Sequence, residues 1–404
     1  MSEVLTTEIA VIGGGVSGLA SAFRLASEGR EILVIDPDLD AGGTSFGSAG
    51  TIADYAVMPV GTPALLRNLP SLLLSRDSPL SIRKAALFSL APWMARFAWH
   101  SLPGNCRRNA DRIARMLSEV PTGWANLLME IGAEDLMRNR GCLYLYSTRS
   151  AFDRAGGEIA VRNHFQVPQE LLSQEETAAL EPALPPFEGG SVYFPNASHL
   201  SDPGALMGRL KAATESKGVA FLHAAARALE RTSDGVMVSC GSSKVRAKTV
   251  VIAAGAHSKV LARQAGDRVP LDTERGYHVE FDMDTPPLSR PVCPTANGFY
   301  LIPMAGRLRA AGTVELGGLT APPSAKRLTF LEERARAVFP SLGAPDRTWL
   351  GFRPSMPDSV PVIRASKGGN DIIFAFGHGH LGLTLAPVTA RMVSDLIAKR
   401  KGVA

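Results

Sequence analysis

The chain opens on a sharp change of hydrophobic rhythm. Glu8–Ile12 is a short apolar run and predicts a buried strand. Residues 18–29 carry Leu19, Phe23 and Leu25 on one side and predict a helix. Glu31–Ile35 predicts a second buried strand. Strand, helix and strand with such short joints predict a parallel βαβ unit. Further along, Leu65, Leu66, Leu69, Leu72 and Leu73 recur at helical spacing, and residues 108–131 read as one helix. Strands are expected at Leu143–Ser147, Ser191–Phe194, Ala220–His223, Gly235–Ser239 and Thr249–Ala253, with a helix over Ala205–Gly218. Three more follow at Tyr277–Phe281, Gly298–Ile302 and Leu308–Val314, then one at Ile372–Ala375 before a last helix from about Thr384 to Arg400. No repeat of solenoid length occurs.

The predicted fold class is α/β. A Rossmann-like dinucleotide domain, from residues 1–60, 199–268 and 346–404, interleaves with an α+β domain from residues 61–198 and 269–345. The second domain is expected to hold a large mixed or antiparallel sheet.

The composition fits this picture. The chain has 404 residues, 45% of them hydrophobic and 20% charged, enough for a large core without metal or disulfide. Cys106, Cys142, Cys240 and Cys293 are scattered, which fits a reducing compartment and no zinc site. The net charge of +5 comes without basic runs interleaved with aromatics, so nucleic acid is not an expected partner. Met1–Thr7 lacks the basic segment of a secretory leader, and Ala85–Ala95 is too short to span a bilayer. The expected location is cytoplasmic. Residues 62–99 qualify it: their leucines, Trp93, Phe97 and Trp99 stand among Arg67, Arg76, Arg83, Lys84 and Arg96. That composition suits either peripheral contact with the inner face of a membrane or ordinary packing.

Chemistry enters at Gly13-Gly14-Gly15-Val16-Ser17-Gly18, where Gly13, Gly15 and Gly18 fit G-x-G-x-x-G between strand and helix. The glycines permit a tight turn, a close approach to pyrophosphate and close helix packing, with Val16 and Ser17 at the helix start. Asp36 ends the second strand, followed by Pro37, and is placed for a ribose hydroxyl pair. A second small-residue turn, Ala254-Gly255, follows the strand at Thr249. Near the C-terminus His378, Gly379, His380, Leu381, Gly382 and Thr384 precede the last helix, whose positive end suits a reduced flavin. Two histidines two apart, without a third ligand, do not make a metal site. Arg353, among apolar and turn residues, requires a carboxylate, which is either Asp358 or a substrate's.

With these motifs on view, the chain resembles the FAD-dependent D-amino acid oxidase/dehydrogenase superfamily. It looks closest to bacterial D-amino acid dehydrogenases and 4-hydroxy-D-proline dehydrogenases. Thr44-Ser45-Phe46-Gly47-Ser48-Ala49-Gly50, the Arg275-Gly276-Tyr277 turn, Gly298–Pro303 and Ala311–Glu315 carry the rest of the resemblance. It implies noncovalent FAD, with Thr44 and Ser45 by the pyrophosphate and Ala49 and Gly50 against the flavin. It implies that Arg353 and Tyr300 hold the substrate carboxylate, that His378, His380 and Tyr277 border the substrate, and that hydride passes from Cα to the flavin. The implied substrate is a D-amino acid, cyclic ones such as D-proline or 4-hydroxy-D-proline included. The implied electron acceptor is a quinone or another non-oxygen acceptor. A peroxide-forming oxidase of sarcosine or glycine type and a non-catalytic dinucleotide-binding protein are the alternatives.

Overall fold

Apolar residues without alternation become central strands, because parallel strands covered on both faces expose neither side. In the computed structural model, which describes residues 4–40, 43–74 and 78–401, Val4–Ile12 runs parallel to Ile32–Asp36 and to Ser243–Ile252. Ala220–His223 extends this sheet beyond Ile32–Asp36. Beyond Ser243–Ile252 it branches. An antiparallel pair, Gly235–Cys240 and Ala228–Thr232, leaves in one direction, and Gly369–Phe376 with Val362–Ser366 in the other. The helices Val16–Ser27 and Ala386–Lys401 cover one face, where Ala22, Leu25, Val393 and Ile397 meet Val11, Val34 and Val251.

The second sheet holds the strands Arg347–Ser355, Asp272–Asp282, Arg307–Leu316 and Phe299–Met304 side by side, and continues through Val292–Pro294, Cys142–Leu145, Ser191–Phe194 and Glu170–Leu172. Its two faces have different duties. Phe330, Leu331 and Ala335 of the helix Ala325–Val338 pack on Tyr277, Val279, Phe299, Leu301 and Leu308. On the other face Ile302, Met304 and Ala311 gather with Ala49 and Tyr300, toward the dinucleotide sheet. Glu280 helps hold that juxtaposition. Burial opposes its charge, but Arg309, Arg347 and Arg307 outweigh it and draw the carboxyl down to about 2. Arg309 then donates to the carbonyl of Ser48 in the predicted flavin loop.

Three expectations are corrected. Arg347–Ser355 pairs with Asp272–Asp282, so it belongs to the second sheet, not with residues 346–404 in the first domain. Pro354 is accommodated because this strand lies at the sheet's edge. The helix expected over 108–131 is two, Pro103–Leu117 and Val120–Ile131. Pro121 cannot donate within a continuing helix and instead opens a new one. The Arg275-Gly276-Tyr277 segment is no turn but the regular middle of the strand Asp272–Asp282, and the bulge lies opposite it, where Thr313 and Val314 of Arg307–Leu316 face Gly276 alone. Within 62–99, Pro63–Leu74 and Leu87–His100 are helical, while Arg76 lies outside the described residues.

Candidate active site

The strand Val4–Ile12 ends in a cradle that only hydrogen side chains fit. A Cβ on Gly18 would lie 1.9 Å from the carbonyl oxygen of Gly13, and one on Gly13, where φ is +114°, would lie 2.3 Å from that of Ala253. The N-terminus of the helix Val16–Ser27 is therefore held tight against two strand ends. Gly15 caps that helix without a side chain, and Ser45 Oγ accepts from the N–H of Val16 at 3.0 Å. Asp36 accepts from Gly14 N–H and Asp38 N–H, each at 2.7 Å, which fixes its carboxylate at the strand end. Each oxygen keeps capacity for a ribose hydroxyl. Ser17 starts the same helix, Pro37 offers its carbonyl to His223, and the Ala254–Gly255 turn lies beside Gly13. A cradle closed to any Cβ, with a helix N-terminus aimed at it, fits a dinucleotide pyrophosphate.

The loop after it joins cradle to second sheet. Thr44 Oγ1 donates to Phe352 carbonyl at 3.2 Å and accepts from Phe352 N–H at 3.1 Å, so its hydroxyl anchors the strand that bears Arg353. Ala49 packs beside Tyr300, and Gly50 adopts φ of +70° with its carbonyl bonded to Leu200 N–H. Thr384 is buried. Its hydroxyl meets Ala53 N–H at 3.1 Å and its carbonyl accepts from Trp124, so the side chain serves the fold. Leu381 is likewise core, which leaves backbone at Gly379 and Gly382 to border a flat ring.

Arg353 reaches inward by an unusual path. A Cβ on Gly276 would lie 2.3 Å from its Nη2, so the side chain crosses the neighbouring strand where that strand has no side chain. On the far side Nη1 donates to the carbonyl of Thr313 at 2.9 Å. Thr313 stands at φ of +59°, a costly left-handed conformation for a β-branched residue, and its buried hydroxyl has no hydrogen-bond partner among the described residues. Arg353 makes no ion pair among the described residues. Burial weakens its hold on the proton, and Glu274, its partner across the strands, strengthens it. Glu274 is itself raised by burial, against the effects of Arg353 and Ser355. Asp358, the other carboxylate considered, pairs with Arg112 at 3.4 Å instead. Gly276→Ala is expected to push the guanidinium aside and raise the KM for a carboxylate substrate roughly tenfold or more, with the fold intact. Steady-state kinetics and circular dichroism check it, and an unchanged KM would show that Arg353 has another route.

Only the strand Arg307–Leu316 separates the Arg353 guanidinium from Tyr300. Tyr300 hydrogen-bonds Tyr144 at 2.7 Å, and burial raises both phenols far beyond physiological pH, so they remain neutral donors. Tyr144 was not singled out by any motif. Tyr55, stacked on Phe194, meets Tyr144 edge-on and extends this aromatic wall. Cys293 is buried there too, and burial suppresses its thiolate.

His380 opens into the same crevice, where surrounding protein and the Arg353 cation hold its imidazole at about 4, neutral under ordinary conditions. Two other expected substrate neighbours are not there. Tyr277 is 1% exposed in the core behind the sheet and donates to Glu315 at 3.1 Å, because strand alternation puts it with Val279 and Phe281 on the face opposite Gly276. His378 is 4% exposed and bonded to Thr389 at 2.8 Å, pinning the turn to the last helix. Burial lowers its pKa from 6.5 to about 4. An unfolded chain therefore takes up a proton below 6.5 that the folded one refuses, and His378 costs stability as pH falls from 6.5 toward about 4. Thermal melts across that range should fall with acid, less steeply in His378→Asn; equal slopes would contradict the burial argument.

Comparison with known proteins agrees with this geometry. A family model described as FAD dependent oxidoreductase matches residues 8–396. A D-amino-acid oxidase of Bradyrhizobium diazoefficiens is 32% identical over 405 residues, covering 97% of this chain and 95% of that protein. A D-amino acid dehydrogenase of Paramagnetospirillum magneticum is 32% identical over 410 residues, with the same coverage of 97% and 95%. In structure, glycine oxidase from Geobacillus kaustophilus superposes with a TM-score of 0.75 at 22% identity, covering 98% of this chain and 95% of that one. Glycine cradle, crevice and matches together place the chain in the FAD dependent oxidoreductase family, with FAD as its cofactor.

Proposed function

We propose that the protein oxidises the Cα–N bond of a D-amino acid and passes the electrons to an acceptor other than oxygen. The observation that carries the substrate class is Arg353, a buried guanidinium that makes no ion pair among the described residues and is delivered across Gly276, with Glu274 acting on it only from the neighbouring strand. Its planar fork suits bidentate binding of a carboxylate. Tyr300 adds a neutral phenol donor, and neutral His380 adds no positive charge beside the substrate amine. Bound FAD supplies the two-electron acceptor chemistry. The chain's own residues hold the carboxylate, orient Cα and wall off water, which is how positioning lowers such a barrier. The imine product then hydrolyses in water. Names of relatives support the substrate class: both the oxidase and the dehydrogenase above are named for D-amino acids.

A panel of D-amino acids, D-proline and 4-hydroxy-D-proline among them, with an artificial dye as acceptor tests this reading. Turnover of D- but not L-enantiomers is expected; turnover of sarcosine or glycine alone would replace it. The oxidase reading keeps its place because one relative carries that name. Rapid reoxidation by air with peroxide release would establish it over a quinone-linked dehydrogenase. FAD released by acid would support noncovalent binding, and colour retained by the denatured chain would oppose it.

Peripheral membrane contact belongs to this proposal. No helix among the described residues is long and apolar enough to cross a bilayer. The helix Leu87–His100, however, leaves Phe88 94% and Trp99 62% exposed, with Leu87 beside them. Trp93 and Phe97 of the same helix are core, so one stripe packs and the other faces outward. Phe88→Ser with Trp99→Ser should abolish flotation with anionic vesicles; flotation that is absent in the unaltered protein would remove the membrane from the account.

A further inference from the structure

A cavity of about 520 Å³ lies between the Leu80–Ile82 strand and the start of the helix Ala325–Val338, apart from the flavin crevice. Arg83, Lys84, Lys326 and Arg327 line it, against a single lining carboxylate among the described residues, Glu315. That carboxylate is already committed, to Arg83 Nε at 2.8 Å and to the buried Arg275 Nε at 2.8 Å. Lys84 and Lys326 make no ion pair among the described residues. Arg327 is 6% exposed and donates to the carbonyl of Ser78, with Glu315 acting on it electrostatically. Ser81 Oγ, also on the wall, is buried without a partner among the described residues.

The helix makes the charge imbalance worse. Its first turn holds Lys326 and Arg327 and no acid, and Ser324 provides no side-chain cap. Helix N-termini carry partial positive charge and favour acids there, so two cations at that end repel it as well as one another. An anion seated in the cavity would remove both conflicts at once. Among the described residues the cavity's one carboxylate, Glu315, is spent.

We propose that this cavity binds a phosphate-bearing anion. Phosphate oxygens match the guanidinium and ammonium donors that line the cavity, which is large enough for a phosphodiester headgroup. Two sources share that chemistry. One is an anionic phospholipid, since Lys84 leads directly into the helix that exposes Leu87 and Phe88. The other is a soluble phosphate compound. The proposal does not depend on the substrate assigned to the flavin site.

The test uses FAD-saturated protein and Lys84→Glu with Lys326→Glu, neither residue being part of the flavin crevice, so turnover should be unchanged. Thermal shifts are read in sodium phosphate against sodium chloride of equal ionic strength. Flotation is read with phosphatidylglycerol and phosphatidylcholine vesicles. Flotation with phosphatidylglycerol alone, weakened at least fivefold in the double variant, assigns a lipid headgroup. A phosphate-dependent shift without flotation, lost in the variant, assigns a soluble phosphate. Neither response, or responses that persist undiminished in the variant, would overturn the site.

Discussion

Arg353→Leu is expected to cut kcat/KM for a D-amino acid by roughly thirty- to several-thousand-fold, mostly through KM, while FAD stays bound. Removing one member of a desolvated, hydrogen-bonded charge pair costs about 2–5 kcal/mol, and each 1.4 kcal/mol or so is a factor of ten. The loss should fall on the substrate because Arg353 makes no ion pair among the described residues, Glu274 acting on it only from across the strands. A structural arginine would behave otherwise: its loss would lower the melting temperature and spare KM. A folded, yellow variant with near-normal KM would assign Arg353 to the architecture.

Gly18→Ala should be equally severe, but at the cofactor. Its Cβ would sit 1.9 Å from the Gly13 carbonyl, which is backbone and has no flexible end to withdraw. The helix must then lift from the strand, and its N-terminus leaves the pyrophosphate. Protein purified from such a variant should carry little or no FAD, with secondary structure retained by circular dichroism. A full flavin complement would mean that the cradle does not seat the cofactor as described.

Short apolar runs were legible because burial on both faces leaves a signal that needs no partner to interpret, as at Val4–Ile12 and Gly369–Phe376. The Gly13–Gly18 cradle was legible because its geometry is local. Arg353 stood out by its chemistry, yet its strand did not: Gly351 and Pro354 read as turn residues, and only the neighbouring strand shows them to be an extended edge, while Pro357 does lie in a turn. Tyr277 and His378 were placed at the substrate by proximity in sequence to the right motifs. Alternation along the strand Asp272–Asp282 sends Tyr277 to the face opposite Gly276, and a bond to Thr389 draws His378 into the core. Thr313 was invisible as a contributor, because left-handed strain and a carbonyl turned to Arg353 are properties of backbone and not of residue type. Tyr144 was hidden for a related reason: its partner Tyr300 is 156 residues away.

The central claim is that one crevice joins FAD to a carboxylate-anchored D-amino acid. Anaerobic titration of the purified holoprotein tests it most directly. The account predicts that a D-amino acid bleaches the visible flavin band stoichiometrically, that its L-enantiomer does not, and that Arg353→Leu needs far higher concentrations for the same bleaching. A flavin that dithionite reduces but no D-amino acid bleaches would contradict it.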